Sequence, residues 1–280
     1  MEPSKHLRWH FAGAVIALGI AFFAAISATF AWYIYHTNAH TTSVRMAAGT
    51  SASLQISDAY DGTYGSSALL ESFTGTLNPV STNSIAGGFQ KVYGFTNGSE
   101  NQSNLVANLF GASDTSDYYQ TSLFLRTNGS TLNVYLTDIG YEDSSAESPI
   151  STAIRVGFVV EDEEYIFAIN TADNPEAEYN TATGEEGYVL DSSRTDGTTV
   201  RFTPYTSDNF CTIDTEAGTV TRGENAVSLG TLSGDGDGGY GDPLEVKIYI
   251  WLEGCDKDCT SNLCATTLQN LALSFAGLTE

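Results

Sequence analysis

Two periodicities divide the chain. From Phe11 to Tyr35 the sequence FAGAVIALGIAFFAAISATFAWYIY carries no charged residue. It is longer than the roughly 20 apolar residues with which a helix crosses a bilayer. Beyond residue 50 the pattern changes to short runs in which apolar and polar positions alternate, the period of a strand with one buried face. The runs are SASLQIS (51–57), QTSLFLR (120–126), TLNVYLTDI (131–139), AIRVGFVV (153–160) and EYIFAIN (164–170). TTVRFTP (198–204), AVSLGTL (226–232), LEVKIYIWLEG (244–254) and TLQNLALSFAG (267–277) complete the set. In the third run Leu132, Val134 and Leu136 share one face, and Asn133, Tyr135 and Thr137 the other. Thr127-Asn128-Gly129-Ser130 separates the second run from the third. Asn-Gly is the strongest short hairpin signal, so these two strands are expected to pair with each other. The fourth and fifth runs are expected to pair across the acidic turn Glu161-Asp162-Glu163.

Residues 58–88 and 171–197 are dominated by Ser, Thr, Gly, Asn, Asp and Glu. They read as surface excursions between strands, with a helical turn around Ser67–Ser72. No alternation of strands with helices and no internal repeat is present, and no Pro-rich or Gly/Ser-rich linker marks a second domain. The expected architecture is therefore all-β: one antiparallel β-sandwich or jelly roll over residues 51–280. Residues 36–50 form a linker or donor strand before it. Residues 1–35 form one N-terminal transmembrane or signal helix.

Lys5 and Arg8 precede the apolar stretch, and no basic residue follows it until Arg45. This asymmetry places the amino end in the cytoplasm and the rest of the chain outside. The stretch is either a retained anchor, with the membrane as partner through residues 11–35, or a leader that a signal peptidase removes. Ala25-Ile26-Ser27 and Thr29-Phe30-Ala31 offer small residues at suitable cleavage positions. In both cases the body is expected to be extracellular or at the cell surface. With 34 acidic residues against 11 basic ones, the net charge is −23. Phosphate neutralisation needs clustered Lys and Arg, so nucleic acid is excluded as a partner. A hydrophobic content of 41% supplies a core, which excludes wholesale disorder.

The chemistry available is narrow. The histidines are His6, His10, His36 and His40, and none follows. Ser-His-Asp, Cys-His and HExxH arrangements are therefore absent from the body, and no catalytic residue is assigned. Carboxylates remain: Glu161, Glu163, Glu164 and Glu253 are candidates for a glycosidase pair, although solvated acidic loops account for them more simply. Neither a GxxxxGK[ST] cradle nor a GxGxxG turn is present. Cys211, Cys255, Cys259 and Cys264 are an even set, and export favours two disulfides over a zinc site. The preferred pairing is Cys255 with Cys264 and Cys211 with Cys259. Calcium is the one cofactor for which the sequence offers a place. Asp235, Asp237 and Asp242 alternate with glycines in SGDGDGGYGD (233–242), as a flexible oxygen shell requires, and Glu253, Asp256 and Asp258 form a weaker set. The alternative is a wet turn whose glycines permit positive φ. Asn97, Asn101 and Asn128 begin Asn-x-Ser sequons. The 15 Tyr and 14 Phe suit sheet packing more simply than a carbohydrate platform.

Two stretches carry a resemblance. Ala24–Trp32 (AAISATFAW) ends the apolar segment and is soon followed by MAAGTSASLQI (46–56); near the other end stand VKIYIWLEGCDKDC (246–259) and the Leu268–Phe275 run. These resemble exported Gram-positive surface proteins of the TasA/camelysin type, whose leader is read by a dedicated signal peptidase of the SipW kind. The resemblance covers the first 60 or so residues and the last 35, and the middle is unmatched. It implies a jelly-roll subunit of an extracellular matrix fibre, with self as the partner. A segment just after the leader would add as a strand to the neighbouring subunit, with Trp32, Ile34, Val44 and Met46 as apolar anchors within 32–49. A flexible stalk is the alternative for that segment. Camelysin-like peptidase activity is not carried over, because the body lacks histidine. From another class, a membrane-tethered binding module for calcium or a cell-wall polymer remains the second expectation.

Overall fold

The computed structural model describes residues 43–46, 54–70, 73, 75–82, 84–97, 105–141, 150–169, 208–214, 216–217, 219–256, 259, 263, 268 and 271–279. In chain order the strands begin with β1 (Ser43–Met46), β2 (Gln55–Ser57), β3 (Ser67–Leu69), β4 (Pro79–Ser81), β5 (Gln90–Asn97), β6 (Leu105–Ala112), β7 (Tyr119–Arg126) and β8 (Leu132–Gly140). They continue with β9 (Ile154–Val160), β10 (Glu163–Ala168), β11 (Cys211–Asp214), β12 (Thr219–Arg222), β13 (Gly230–Leu232), β14 (Leu244–Glu253) and β15 (Ala272–Leu278). One 3-10 turn, Ile150–Thr152, precedes β9. The protein is predominantly β, and among the described residues no helix is long and apolar enough to cross a membrane. The Phe11–Tyr35 segment lies outside the described residues, as do the runs at 171–197 and 198–204.

Strand β14 sets the frame. Val246, Ile248, Ile250 and Leu252 are fully buried on one face. Glu245 and Lys247, between them, are exposed on the other. Because successive side chains leave a strand on opposite faces, this pattern fixes which side of the sheet meets the core. β14 pairs antiparallel with β9 and with β7, and over its last residues parallel with β4. The resulting eight-stranded sheet runs β10-β9-β14-β4-β5-β6, with β7 also on β14 and β2 on β7. A five-stranded sheet runs β13-β8-β15-β1-β3, and β11 and β12 form a separate ribbon. Leu123, Val156, Phe158 and Ile248 from the larger sheet share one core with Val134, Leu136, Leu273 and Phe275 from the smaller. Phe158 and Phe275 meet edge to face, with ring centroids 6.0 Å apart. Each such buried side chain contributes about 1.5–3 kcal/mol.

A second apolar cluster, Val80, Ile85, Phe89 and Trp251, covers the other face of the larger sheet. Trp251 lies across Gly157. A Cβ there would stand 2.5 Å from Ile85 Cδ1 and 2.9 Å from the indole ring, so only glycine fits. The loop that carries Ile85 is pinned by Glu164 of β10. Its carboxylate accepts the Ile85 N–H (2.8 Å), the Ala86 N–H (2.6 Å) and the Ser84 hydroxyl (3.2 Å).

The expected pair of strands at 153–160 and 164–170 is present as β9 and β10, joined by Glu161 and Asp162. The expected hairpin across Asn128-Gly129 is not. β7 belongs to the larger sheet and β8 to the smaller, so the chain arches between layers at this turn. Leu123 and Leu125 before it, and Leu132 and Val134 after it, all belong to the same core, which they enter from opposite layers. Here the hydrogen-bonding edges of β7 are taken by β14 and β2, and those of β8 by β15 and β13. The arch is closed instead by the Gly234 N–H donating to Gly129 O and the Gly241 N–H donating to Thr127 O. The helical turn expected around Ser67–Ser72 is also corrected: Ser67–Leu69 is a strand on β1. Residues Thr41–Glu280 form one compact unit, separate from Met1–His40, so the β unit takes in β1.

Candidate functional site

The segment after the apolar stretch enters the smaller sheet. β1 lies parallel to β15, with Val44 opposite Leu273 and Met46 opposite Phe275, and antiparallel to β3, with Val44 opposite Ala68. It is thus a four-residue strand laid into a slot between β15 and β3. Two of the four expected assembly anchors, Val44 and Met46, sit on this strand; Trp32 and Ile34 lie outside the described residues. Removing β1 would bare a main-chain edge on each side of the slot, which any extended segment of matching pattern can fill.

The candidate carboxylates are dispersed. Glu253 is fully buried, accepting the Trp251 Nε1–H (2.9 Å) and the Cys255 N–H (3.0 Å). Burial pushes its carboxyl up, against the pull of Ser81, Trp251, Arg155 and the Cys255 amide. Glu164 is committed to the Ser84–Ala86 loop, and Glu163 is exposed on β10. Glu161 occupies the β9–β10 turn with φ 55°, a left-handed conformation that costs a non-glycine residue about 1–3 kcal/mol. It lines an open cleft of about 540 Å³ with Asp235, Tyr240 and Asp242.

The calcium shell expected at Asp235, Asp237 and Asp242 is not assembled. Asp235 Oδ1 accepts the N–H groups of Asp237 (2.9 Å) and Gly239 (2.7 Å), so this carboxylate caps its own turn. Among the described residues no group of three or more His, Cys, Asp or Glu side chains is placed to hold a metal ion. The weaker set fares the same way: Asp256 is fully buried in an ion pair with Arg155, and Asp258 lies outside the described residues. The Gly-rich loop is fastened by Arg126, whose guanidinium lies between the rings of Tyr64 (3.8 Å) and Tyr240 (4.2 Å). Arg126 Nε and Nη2 also donate to Gln55 Oε1, at 3.2 and 3.0 Å.

The expected Cys211–Cys259 bridge is corrected. Cys211 carries a free thiol at the start of β11, buried with Tyr135 and Ala226, whereas Cys259 packs against the main core. Burial pushes the Cys211 thiol up. No disulfide joins Cys211, Cys255 and Cys259 to one another, and Cys264 lies outside the described residues.

Other structural centres were missed in sequence. Arg155 and Asp256, both fully buried, form an ion pair in which Arg155 Nη2 donates to Asp256 Oδ2; the one signal was an Arg inside the apolar run AIRVGFVV. Phe89 stacks on Tyr118 at 4.2 Å and meets Trp251 at 5.2 Å, an aromatic group drawn from three separate segments. No protein-family model matches this chain, and neither does any curated protein or solved structure.

Proposed function

We propose that this chain is an exported cell-surface or extracellular-matrix structural protein that self-associates by strand donation. Its body is an antiparallel β-sandwich of the jelly-roll kind, with two parallel pairings at β1 and β4. The reading rests on one observation above all. The strand that follows the apolar segment is short, lies between β3 and the sequence-distant β15, and occupies a slot that a copy of the same strand fits. In an assembly, β1 of one subunit takes the β15–β3 slot of the next, with Val44 and Met46 on the inserted strand and Trp32 and Ile34 ahead of it. Such a head-to-tail contact generates filaments wherever its rotation does not close into a ring. A leader cut by a signal peptidase would release the segment for donation, and an uncut one would hold the first subunit at the membrane.

Electron microscopy of the material collected from the producing cells, with N-terminal sequencing, tests this reading. Filaments whose chains begin near Ser27–Trp32 are the expected result. Deleting residues 32–49 should abolish filament growth, and a peptide of residues 32–49 added in excess should stop it in the intact protein. Growth indifferent to both changes rejects strand donation.

A further inference from the structure

The sheet edges of this protein are unequal. β2, β3 and β13 are edges of three residues each. β10 begins with the exposed Glu163 followed by Glu164. Short length and charge are the usual means by which an edge is kept from recruiting another strand. β6 has neither. It is eight residues long, LVANLFGA, and stands at the end of the larger sheet with β5 as its neighbour among the described residues. It contains no charge and no proline, and from Val92 to Ser113 the single side chain charged at neutral pH is Glu100. At the base of the hairpin, Lys91 is paired at 3.1 Å with both Asp114 and Asp117. In a chain of net charge −23, this edge is where a second copy can approach with least repulsion.

The register defines how much of the edge is usable. Gln90 faces Ala112 and Val92 faces Leu109, so β6 carries one extra residue near Gly111, which adopts φ 71°. A glycine bulge of this kind bends the strand and ends regular pairing. Leu105–Leu109 lies before it, and the other irregularity, between Val92 and Phe95, places its extra residue on β5.

We infer that Leu105–Leu109 of β6 is a docking edge for a second copy of this chain, the two β6 strands pairing antiparallel about a two-fold axis. This rests on the self-association reading and adds a contact to it. An axis through Ala107 sets Ala107 against its counterpart and Val106 against Asn108 of the other copy. The two contacts differ in kind: strand donation through β1 runs head to tail, while the β6 contact is isologous and joins filaments sideways.

Charge swapping tests it. Ala107→Glu and Ala107→Lys each place like charges opposite one another in the symmetric pair, and an equimolar mixture places opposite charges there. In the full chain held in non-ionic detergent, each variant alone should associate laterally roughly tenfold more weakly than wild type, and the mixture should recover. Filaments should persist, but singly. If wild type bundles and both variants bundle equally well, the β6 contact is rejected while strand donation stands. If wild type shows no self-association at any concentration, the underlying reading falls and this one with it. Should either variant fail to fold, hydrogen exchange on wild type decides. Amides of 105–109 gain protection as concentration rises if the edge is used, and protection confined to other segments overturns the proposal.

Discussion

Arg155 shows what a single residue costs and contributes in this fold. Its side chain is inaccessible to solvent, as is that of Asp256, and Nη1 donates to the Ile154 carbonyl at 3.0 Å. A guanidinium removed from water is tolerable here because a carboxylate meets it, and the pair fastens the turn after β14 to the start of β9. Removing one partner leaves the other charge buried. Asp256→Asn should therefore lower stability by about 3–5 kcal/mol, read as the shift in urea midpoint. Replacing both partners, as Arg155→Met with Asp256→Leu, should recover most of that loss, because the unpaired charge is gone. A double variant no more stable than Asp256→Asn would show that the pair does more than cancel its own desolvation. Glu253, three residues earlier, lies in the same buried environment; its raised carboxyl pKa means that its contribution is largest in acid and declines as pH rises.

Among the elements, the contact between β9 and β14 leaves no room for a side chain at Gly157. Gly157→Ala forces a methyl into Ile85 and the Trp251 ring, and should cost about 1–3 kcal/mol with a change in tryptophan fluorescence. Adding Ile85→Ala should return part of this, since the nearer of the two obstacles is then removed. Strands of this kind were legible in sequence. Val246, Ile248, Ile250 and Leu252 alternate with Glu245, Lys247 and Tyr249, and the pattern reports one buried face. Pairing was legible across the tight β9–β10 turn and not elsewhere, because alternation says which face is buried and nothing about which strand lies alongside. Asn128-Gly129 illustrates the gap: a turn that favours a hairpin locally serves an arch once β14 and β15 claim the flanking strands. The three-residue strands β3 and β4 are too short to show a period at all. The proposed donor segment, 32–49, takes in β1, but the slot around β1 could not be read from sequence, because its walls are β15 and β3.

For the whole molecule, the distribution of charge bears on the proposed self-association. Cations are scarce, and several are spent internally: Arg155 in its ion pair, Arg126 between two tyrosine rings, Arg222 over the Tyr135 ring and Lys91 on Asp114 and Asp117. The field between two subunits is therefore repulsive, and its range falls from about 30 Å at 0.01 M salt to about 8 Å at 0.15 M. Self-association followed by light scattering should rise with sodium chloride over this interval; a fall would mean that salt bridges, not apolar strands, hold the copies together. The parallel placement of β1 beside β15 has a further consequence in time. During synthesis Ser43 emerges long before Ala272, the residue it must lie against, so the smaller sheet cannot be finished until β15 has been made. Until β15 is made, β1 is an occupant whose slot still lacks one of its two walls.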